Sequence, residues 1–177
     1  MTMTTYTGKH VDPLAITLEE IDIEDIAHAL ALTNRFGGHT PVPLSVAQHS
    51  VFVSSLCNAR TELRGLLHDA SEAYLGDIPR PLKHTAVFEA YLALEHKLET
   101  RILEKYGCAG ELSYAVDAAD QLALEVEIVI LFPMAAWPLK PTAEARQLAK
   151  CYSVWPWKQA ERLFLKRFHA LCTLPTA

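Results

Sequence analysis

A histidine and an aspartate stand side by side at positions 68 and 69, closing the apolar run Leu66-Leu67, and Glu72 follows at three and four residues' distance. Imidazole nitrogen with carboxylate oxygen is a donor pair suited to a first-row divalent metal. Spacings of three and four residues share one helix face. Neighbours in a regular helix, however, point about 100° apart, so His68 and Asp69 reach one ion only near a helix end or in a distorted turn. The breakers Gly76, Pro79 and Pro81 lie just downstream and are compatible with such an end. Two ligands hold an ion poorly, so further donors must come from other elements. His49, set between Val46 and Val53, is well placed, as is Asp120 within Ala118-Ala119-Asp120-Gln121-Leu122-Ala123. A carboxylate on an apolar helical face is costly unless paired or metal-bound. Asp117 competes with Asp120 for this role, and spacing alone does not decide between them.

Helices must carry these residues. Asp22 can cap a helix whose apolar face is Ile23, Ile26, Ala27, Leu30 and Leu32, ending near Asn34 before Gly37-Gly38. A second helix, roughly Ser45 to Asn58, carries His49, and a third, about Thr61 to Tyr74, holds the His-Asp pair. The stretch Gly76 to Lys83 reads as non-helical because Pro79 and Pro81 interrupt it. A long helix from about Val87 to Tyr106 ends at Gly107 and Gly110, and another, about Glu111 to Phe132, carries Asp120. Pro133, Pro138 and Pro141 make a connector to helices near Ala143 to Cys151 and Trp155 to Leu171. In the last of these, Ala160, Phe164, Phe168 and Leu171 form a stripe for the core or a dimer contact. Residues 1–20 read as irregular, and Thr7-Gly8-Lys9 lacks the remainder of a phosphate loop. No stretch alternates with period two. The expectation is an all-α fold, one domain over 1–177, with about six or seven helices.

Composition narrows the classes. At 177 residues, half of them hydrophobic, the chain is long enough for one real core. A net charge of -5 argues against a dominant nucleic-acid or anionic-membrane surface, which needs basic excess. Cys57, Cys108, Cys151 and Cys172 form no CxxC pattern and read as small buried hydrophobes in a reducing compartment. The start lacks the basic and apolar regions of a signal peptide. The apolar stretch 126–139 is broken by Glu127, Pro133 and Pro138 and falls short of the about 20 residues that span a bilayer. A cytoplasmic protein is expected, with neither nucleic acid nor membrane as partner.

Taken in order, Arg35, Gln48-His49-Ser50, the run Leu67 to Ala73, Gly76-Asp77, Pro81-Leu82-Lys83 and Ala119-Asp120 resemble the H…HD…D signature of the HD-domain phosphohydrolases. The resemblance runs from about Asp22 to about Glu127. It is closest to the small single-domain subgroup, which includes bacterial 5'-deoxynucleotidases and phage deoxynucleoside triphosphohydrolases such as the dATP-specific enzyme. This likeness implies an HD-type helical bundle, with a metal-site core over about 22–127 completed by helices over 142–172. It implies His49, His68, Asp69 and Asp120 as ligands of one divalent transition metal ion, Co, Mn or Zn, with Mg also compatible. Such a ligand set on an octahedral ion leaves positions for a water and a phosphate oxygen. It also implies Glu72 and Asp77 as catalytic residues, Glu72 as general acid/base and Asp77 beside the sugar. Arg35, Phe36 and Lys83 match substrate-binding positions, the two cations holding phosphate. Several nucleotidases place a tryptophan after the arginine, whereas this chain has Phe36 followed by Gly37-Gly38. Glu127, two turns after Asp120, is a candidate support behind the ligands, and His39 is either a phosphate contact or a plain loop residue. A homo-oligomer, dimer or higher, is a further implication.

The expected reaction is therefore metal-dependent hydrolysis of a small-molecule 2'-deoxynucleotide. A 5'-monophosphate is favoured over a triphosphate because few cations beyond Arg35 and Lys83 are visible near the motif. The alternative from another class is a non-catalytic regulatory domain stapled by its metal; its signature would be loss of Glu72 or Arg35, and both are present. Ser71-Glu72 does not fit the HDxGK pattern of two-metal enzymes.

Overall fold

Asp22 starts the first helix by accepting a hydrogen bond from the Glu24 N–H, and α1 (Ile23–Leu32) then buries Ile26, Ala27, Leu30 and Ala31. Ser45 caps α2 (Val46–Leu56) likewise through the Gln48 N–H. The computed structural model describes residues 1–109, 113–133 and 140–173. Beyond α2 come α3 (Glu62–Leu67), α4 (Glu72–Leu75), α5 (Arg80–Lys83), α6 (Glu89–Lys105), α7 (Ser113–Leu131), α8 (Ala143–Ala149) and α9 (Trp157–Cys172). Tight 3-10 turns occupy Arg35–Gly38 and Ala86–Phe88. The fold is all-α, as expected.

Central to it is α2, whose buried residues include Val46, Ala47, Gln48, His49, Ser50, Val53 and Ser54. Burial on nearly every side marks a helix enclosed by others, and α2 packs against α1, α3, α7 and α9. Gln48 is paired inward: its amide donates to the Ser153 carbonyl at 2.7 Å and accepts from the Trp155 N–H at 2.7 Å. One core cluster joins Ile26 and Leu30 of α1 with Leu66, Leu67, Ile102, Phe164 and Phe168. The α9 stripe is thus core. A second cluster, Val53 with Val116, Ala119 and Ala123, seats α7 on α2. Gly65 permits the close packing of α3, since a Cβ there would lie 2.6 Å from Cys57 Sγ.

Several details depart from expectation. The segment expected as one helix over 61–74 is two, α3 and α4, with the His-Asp pair in the join. The stretch after Gly76 is partly helical: α5 tolerates Pro81 because the first turn of a helix does not use its N–H groups internally. Residues 1–20 are less irregular than their composition suggests, since β1 (Met3–Thr4) pairs antiparallel with β2 (His10–Val11). Gly8, at φ 86°, turns that hairpin, which is what the Thr7-Gly8-Lys9 run does here. Cys57 and Cys108 are half-buried but Cys151 and Cys172 are exposed, against the expectation of burial. Gly110, Glu111 and Pro138, read as helix ends and connector, lie outside the described residues. Among those that are described, no helix is long and apolar enough to cross a membrane.

Candidate metal centre

The join between α3 and α4 is what lets neighbours converge. Ala70, Glu72, Ala73 and Tyr74 each donate their N–H to the carbonyl three residues back, at 3.0, 3.0, 3.3 and 3.0 Å. This 3-10 tightening places residues three apart directly above one another. Asp69 is thereby stacked with Glu72, while His68 reaches sideways towards α2.

His49, fully buried on α2, and His68 point their Nε2 atoms at each other, 3.3 Å apart. Asp69 Oδ2 lies 3.2 Å from His68 Nε2 and 3.6 Å from His49 Nε2. Asp120 Oδ1, from α7, lies 3.1 Å from His49 Nε2 and 3.9 Å from His68 Nε2. His49, His68 and Asp69 form a group whose donor atoms all lie within 4.8 Å of one another. Around an ion with ligand bonds of about 2.1 Å, cis donors are separated by about 3.0 Å in an octahedron and about 3.4 Å in a tetrahedron. The residues fit. Asp117 is exposed on α7, so helix phase selects Asp120.

The other ring nitrogens confirm which way the lone pairs face. His68 Nδ1 is 2.8 Å from the Gly65 carbonyl, which can only accept, so this nitrogen carries the hydrogen. His49 Nδ1 is 2.8 Å from Glu127 Oε1, and Glu127 is fully buried. Arg35 Nε donates to the other Glu127 oxygen at 3.0 Å, and its Nη1 is 3.6 Å from Asp69 Oδ2. Burial opposes ionisation of Glu127, but Arg35 and His49 hold its carboxyl below the ordinary carboxylate range. Both Nε2 atoms are thus left as acceptors facing two carboxylates, an arrangement that a cation or added protons must satisfy.

Without a metal, protons take that place. Burial disfavours charge on His68, but the Asp69 carboxylate outweighs it and, with Asp120, raises the imidazole pKa to about 9. His49 is also raised: burial and Arg35 oppose its charge, and Glu127 and Asp120 prevail. Burial would raise Asp120, yet the His49 hydrogen bond and charge bring it down to about 2. Metal must displace the His68 proton, so apparent affinity is expected to fall about tenfold per pH unit as pH drops below about 9, more steeply where His49 also protonates. Metal titrations at pH 6, 7 and 8, in buffers of different ionisation heat to count released protons, test this. Affinity independent of pH would exclude the histidine pair as ligands.

Glu72 sits beside the ligands without joining them. It is only 6% exposed, its Oε2 has no hydrogen-bond partner among the described residues, and Oε1 is 3.3 Å from Lys83 Nζ. Burial, then repulsion from Asp69 and Asp77, pushes its pKa up to about 9. Lys83 is closer to Glu95 Oε1 of α6, at 2.7 Å. That contact outweighs the burial that would lower the lysine's pKa, so Lys83 is paired with Glu95 first and Glu72 keeps its proton. Tyr91 donates to the Gly76 carbonyl at 2.9 Å and fixes the turn before Asp77.

A cavity of about 510 Å³ opens over Asp69, Glu72 and Asp120. Its apolar wall comes from Phe36, Ile78, Pro79, Pro81 and Leu124, and its polar lining includes Arg35, Asp77, Arg80, Lys83 and His84. Phe36 has φ 57° and ψ 27°, a left-handed backbone that costs a non-glycine residue about 1–3 kcal/mol and recurs where a side chain must be held at a site. Its ring packs edge-on to Phe132 at 5.3 Å. His39 is exposed and does not line this cavity. The sequence does not single out Glu95, Arg80 or the Gly65 carbonyl. Arg80 stands in the same proline-flanked run as Lys83, but Glu95 is joined to the site by the way α6 folds back against α3 and beside Lys83.

No family model matches the chain. It is 36% identical over 172 residues to the uncharacterized protein YfdR of Escherichia coli (strain K12), covering 96% of this chain and 95% of that one. An uncharacterized protein of Rhodobacter capsulatus is 35% identical over 133 residues, covering 68% of this chain and 67% of its own length.

Proposed function

The chain belongs to the family of YfdR, and for this member of it we propose a metal-dependent phosphohydrolase of the HD type that acts on 2'-deoxynucleotides, foremost as a 5'-deoxynucleotidase. The observation that carries the reading is the convergence of two imidazole Nε2 atoms, 3.3 Å apart, on the Asp69 and Asp120 carboxylates at the floor of a cavity. His49, His68, Asp69 and Asp120 would hold a divalent transition ion, Co, Mn or Zn. Such an ion would supply Lewis acidity, acidifying a water and offsetting charge that develops on a phosphoryl group.

Glu127 orients His49, and the Gly65 carbonyl orients His68. Arg35 braces Glu127 and turns the rest of its guanidinium to the cavity. Glu72, protonated near neutral pH, gives its proton to the leaving 5' oxygen as the phosphorus–oxygen bond breaks, and recovers one from the attacking water. The apolar wall with Phe36 takes the nucleoside, and Asp77, half-buried at the rim, is placed for a sugar hydroxyl.

A second reading, release of triphosphate from a dNTP, draws support from Arg80, which adds a cation to the lining that is not obvious in the sequence. Incubating metal-loaded protein with dNMPs and dNTPs and separating the products tests both. Free phosphate from a dNMP supports the first, and tripolyphosphate from a dNTP supports the second. If neither is touched with Mn, Co, Zn or Mg present, the phosphohydrolase reading fails and the metal-stapled domain replaces it.

A further inference from the structure

Arg35, Arg80 and Lys83 all line the cavity over the metal ligands, but they are not equally free to bind an anion. Arg35 spends Nε on Glu127 at 3.0 Å and keeps Nη1 3.6 Å from Asp69, so a phosphate would compete with two buried or half-buried carboxylates. Lys83 Nζ lies between Glu95 and Glu72, at 2.7 and 3.3 Å. Moving it to a phosphate would break the 2.7 Å pair with Glu95, leaving that oxygen only the Tyr91 hydroxyl at 3.3 Å, and would remove the only polar neighbour that Glu72 Oε1 has at that distance among the described residues. Arg80 differs. Its guanidinium makes no hydrogen bond among the described residues; the charged contact is Nη2 to Asp120 Oδ2 at 3.9 Å, beyond hydrogen-bond range, and the side chain is 66% exposed.

Position favours it as well. Asp120 presents Oδ1 to His49 and Oδ2 towards Arg80, so the guanidinium stands one carboxylate away from the converging ligand atoms. Pro79 and Pro81 flank Arg80 and restrict the backbone on both sides, which holds the side chain's origin in place before any ligand arrives. A guanidinium offers paired donors that match two phosphate oxygens, whereas an ammonium acts as a point charge.

Resting on the phosphohydrolase reading, we propose that Arg80, and not Lys83, is the side chain that grips the non-bridging oxygens of the substrate phosphate. Lys83 stays with Glu95 and Glu72 and positions the latter. The family resemblance points to Arg35 and Lys83 as the phosphate cations, so the proposal moves the part given to Lys83 to another residue of α5.

Inorganic phosphate titrated calorimetrically into metal-saturated protein tests it without relying on turnover. Arg80→Ala is expected to weaken phosphate binding about tenfold, the scale of a partly exposed charge-assisted contact. Arg80→Lys should recover part of the loss, and Arg60→Ala, a change at an exposed arginine that does not line the cavity, should bind as the unaltered protein does. Lys83→Ala should weaken phosphate less than Arg80→Ala. Equal phosphate affinity in Arg80→Ala and the unaltered protein, or a larger loss in Lys83→Ala, overturns the proposal; if the unaltered protein still hydrolyses nucleotides, the function stands without it. Failure of the unaltered protein to bind phosphate or to hydrolyse any nucleotide removes the phosphohydrolase reading itself, and this proposal with it.

Discussion

Glu127→Ala is expected to lower the free energy of unfolding by about 3–5 kcal/mol and to weaken metal binding about 10- to 100-fold. Glu127 is fully buried and joins two donors that have nowhere else to turn: His49 Nδ1–H at 2.8 Å and Arg35 Nε–H at 3.0 Å. Truncation leaves a largely buried guanidinium without its main counter-charge, which costs more than a surface pair would. It also frees the His49 ring to rotate, so Nε2 is no longer aimed at Asp69 and Asp120. Glu127→Gln should fall between, because an amide can accept from one donor but must turn its NH2 towards the other. The pH dependence has a definite sign. Folding lowers the Glu127 pKa below its ordinary value of 4.5, so its stabilisation is complete above that value and fades as pH falls through the folded one. The gap between the native protein and Glu127→Ala should therefore be full at pH 7 and narrower in acid. Urea unfolding at both pH values and a metal titration measure these effects. A variant within about 0.5 kcal/mol of the native protein, binding metal equally well, would show that Glu127 neither braces Arg35 nor orients His49.

This same residue shows where the sequence was informative and where it was not. Asp120 and Glu127 are seven apart, two helical turns, so their common face on α7 is legible from spacing alone. The choice of Asp120 over Asp117 needed the third dimension, because both stand in a run of mixed apolar residues and only packing on α2 fixes the helix phase. His68 and Asp69 were legible as a pair because adjacency demanded a distorted turn, and the 3-10 join between α3 and α4 is that turn. Its cost to the reading was the helix over 61–74, which the apolar pattern alone cannot interrupt. Pro81 misled in the opposite direction: a proline forbids the middle of a helix, not its first turn, and α5 uses that allowance. Glu95 stayed invisible for a more general reason. An ion pair between the lysine that ends α5 and a later helix depends on where the chain folds back, and no local period records it.

Glu72→Gln is expected to lower kcat by about 10²- to 10⁴-fold while leaving metal content intact and making the metal-free protein more stable. The first effect follows from its place: buried beside the ligands and lining the cavity, with Oε2 unpaired among the described residues, Glu72 is available to carry a proton and is not spent on structure. The second follows from linkage. Folding raises the Glu72 pKa from 4.5 to about 9, so the folded chain binds a proton that the unfolded chain has already lost. Stability from this group is complete below 4.5 and declines as pH rises towards about 9. Glutamine carries no such penalty, and its advantage should grow across that window to about 1–3 kcal/mol near pH 8. Thermal unfolding of both metal-free proteins at pH 5 and pH 8 reads the difference, and steady-state kinetics with metal reads the loss of activity. The two signs matter together. A residue that only packs would lose stability and activity in step, whereas a buried acid kept for chemistry is replaced at a gain in one and a loss in the other. Equal loss of both would make Glu72 a structural residue and leave the leaving oxygen to find its proton elsewhere.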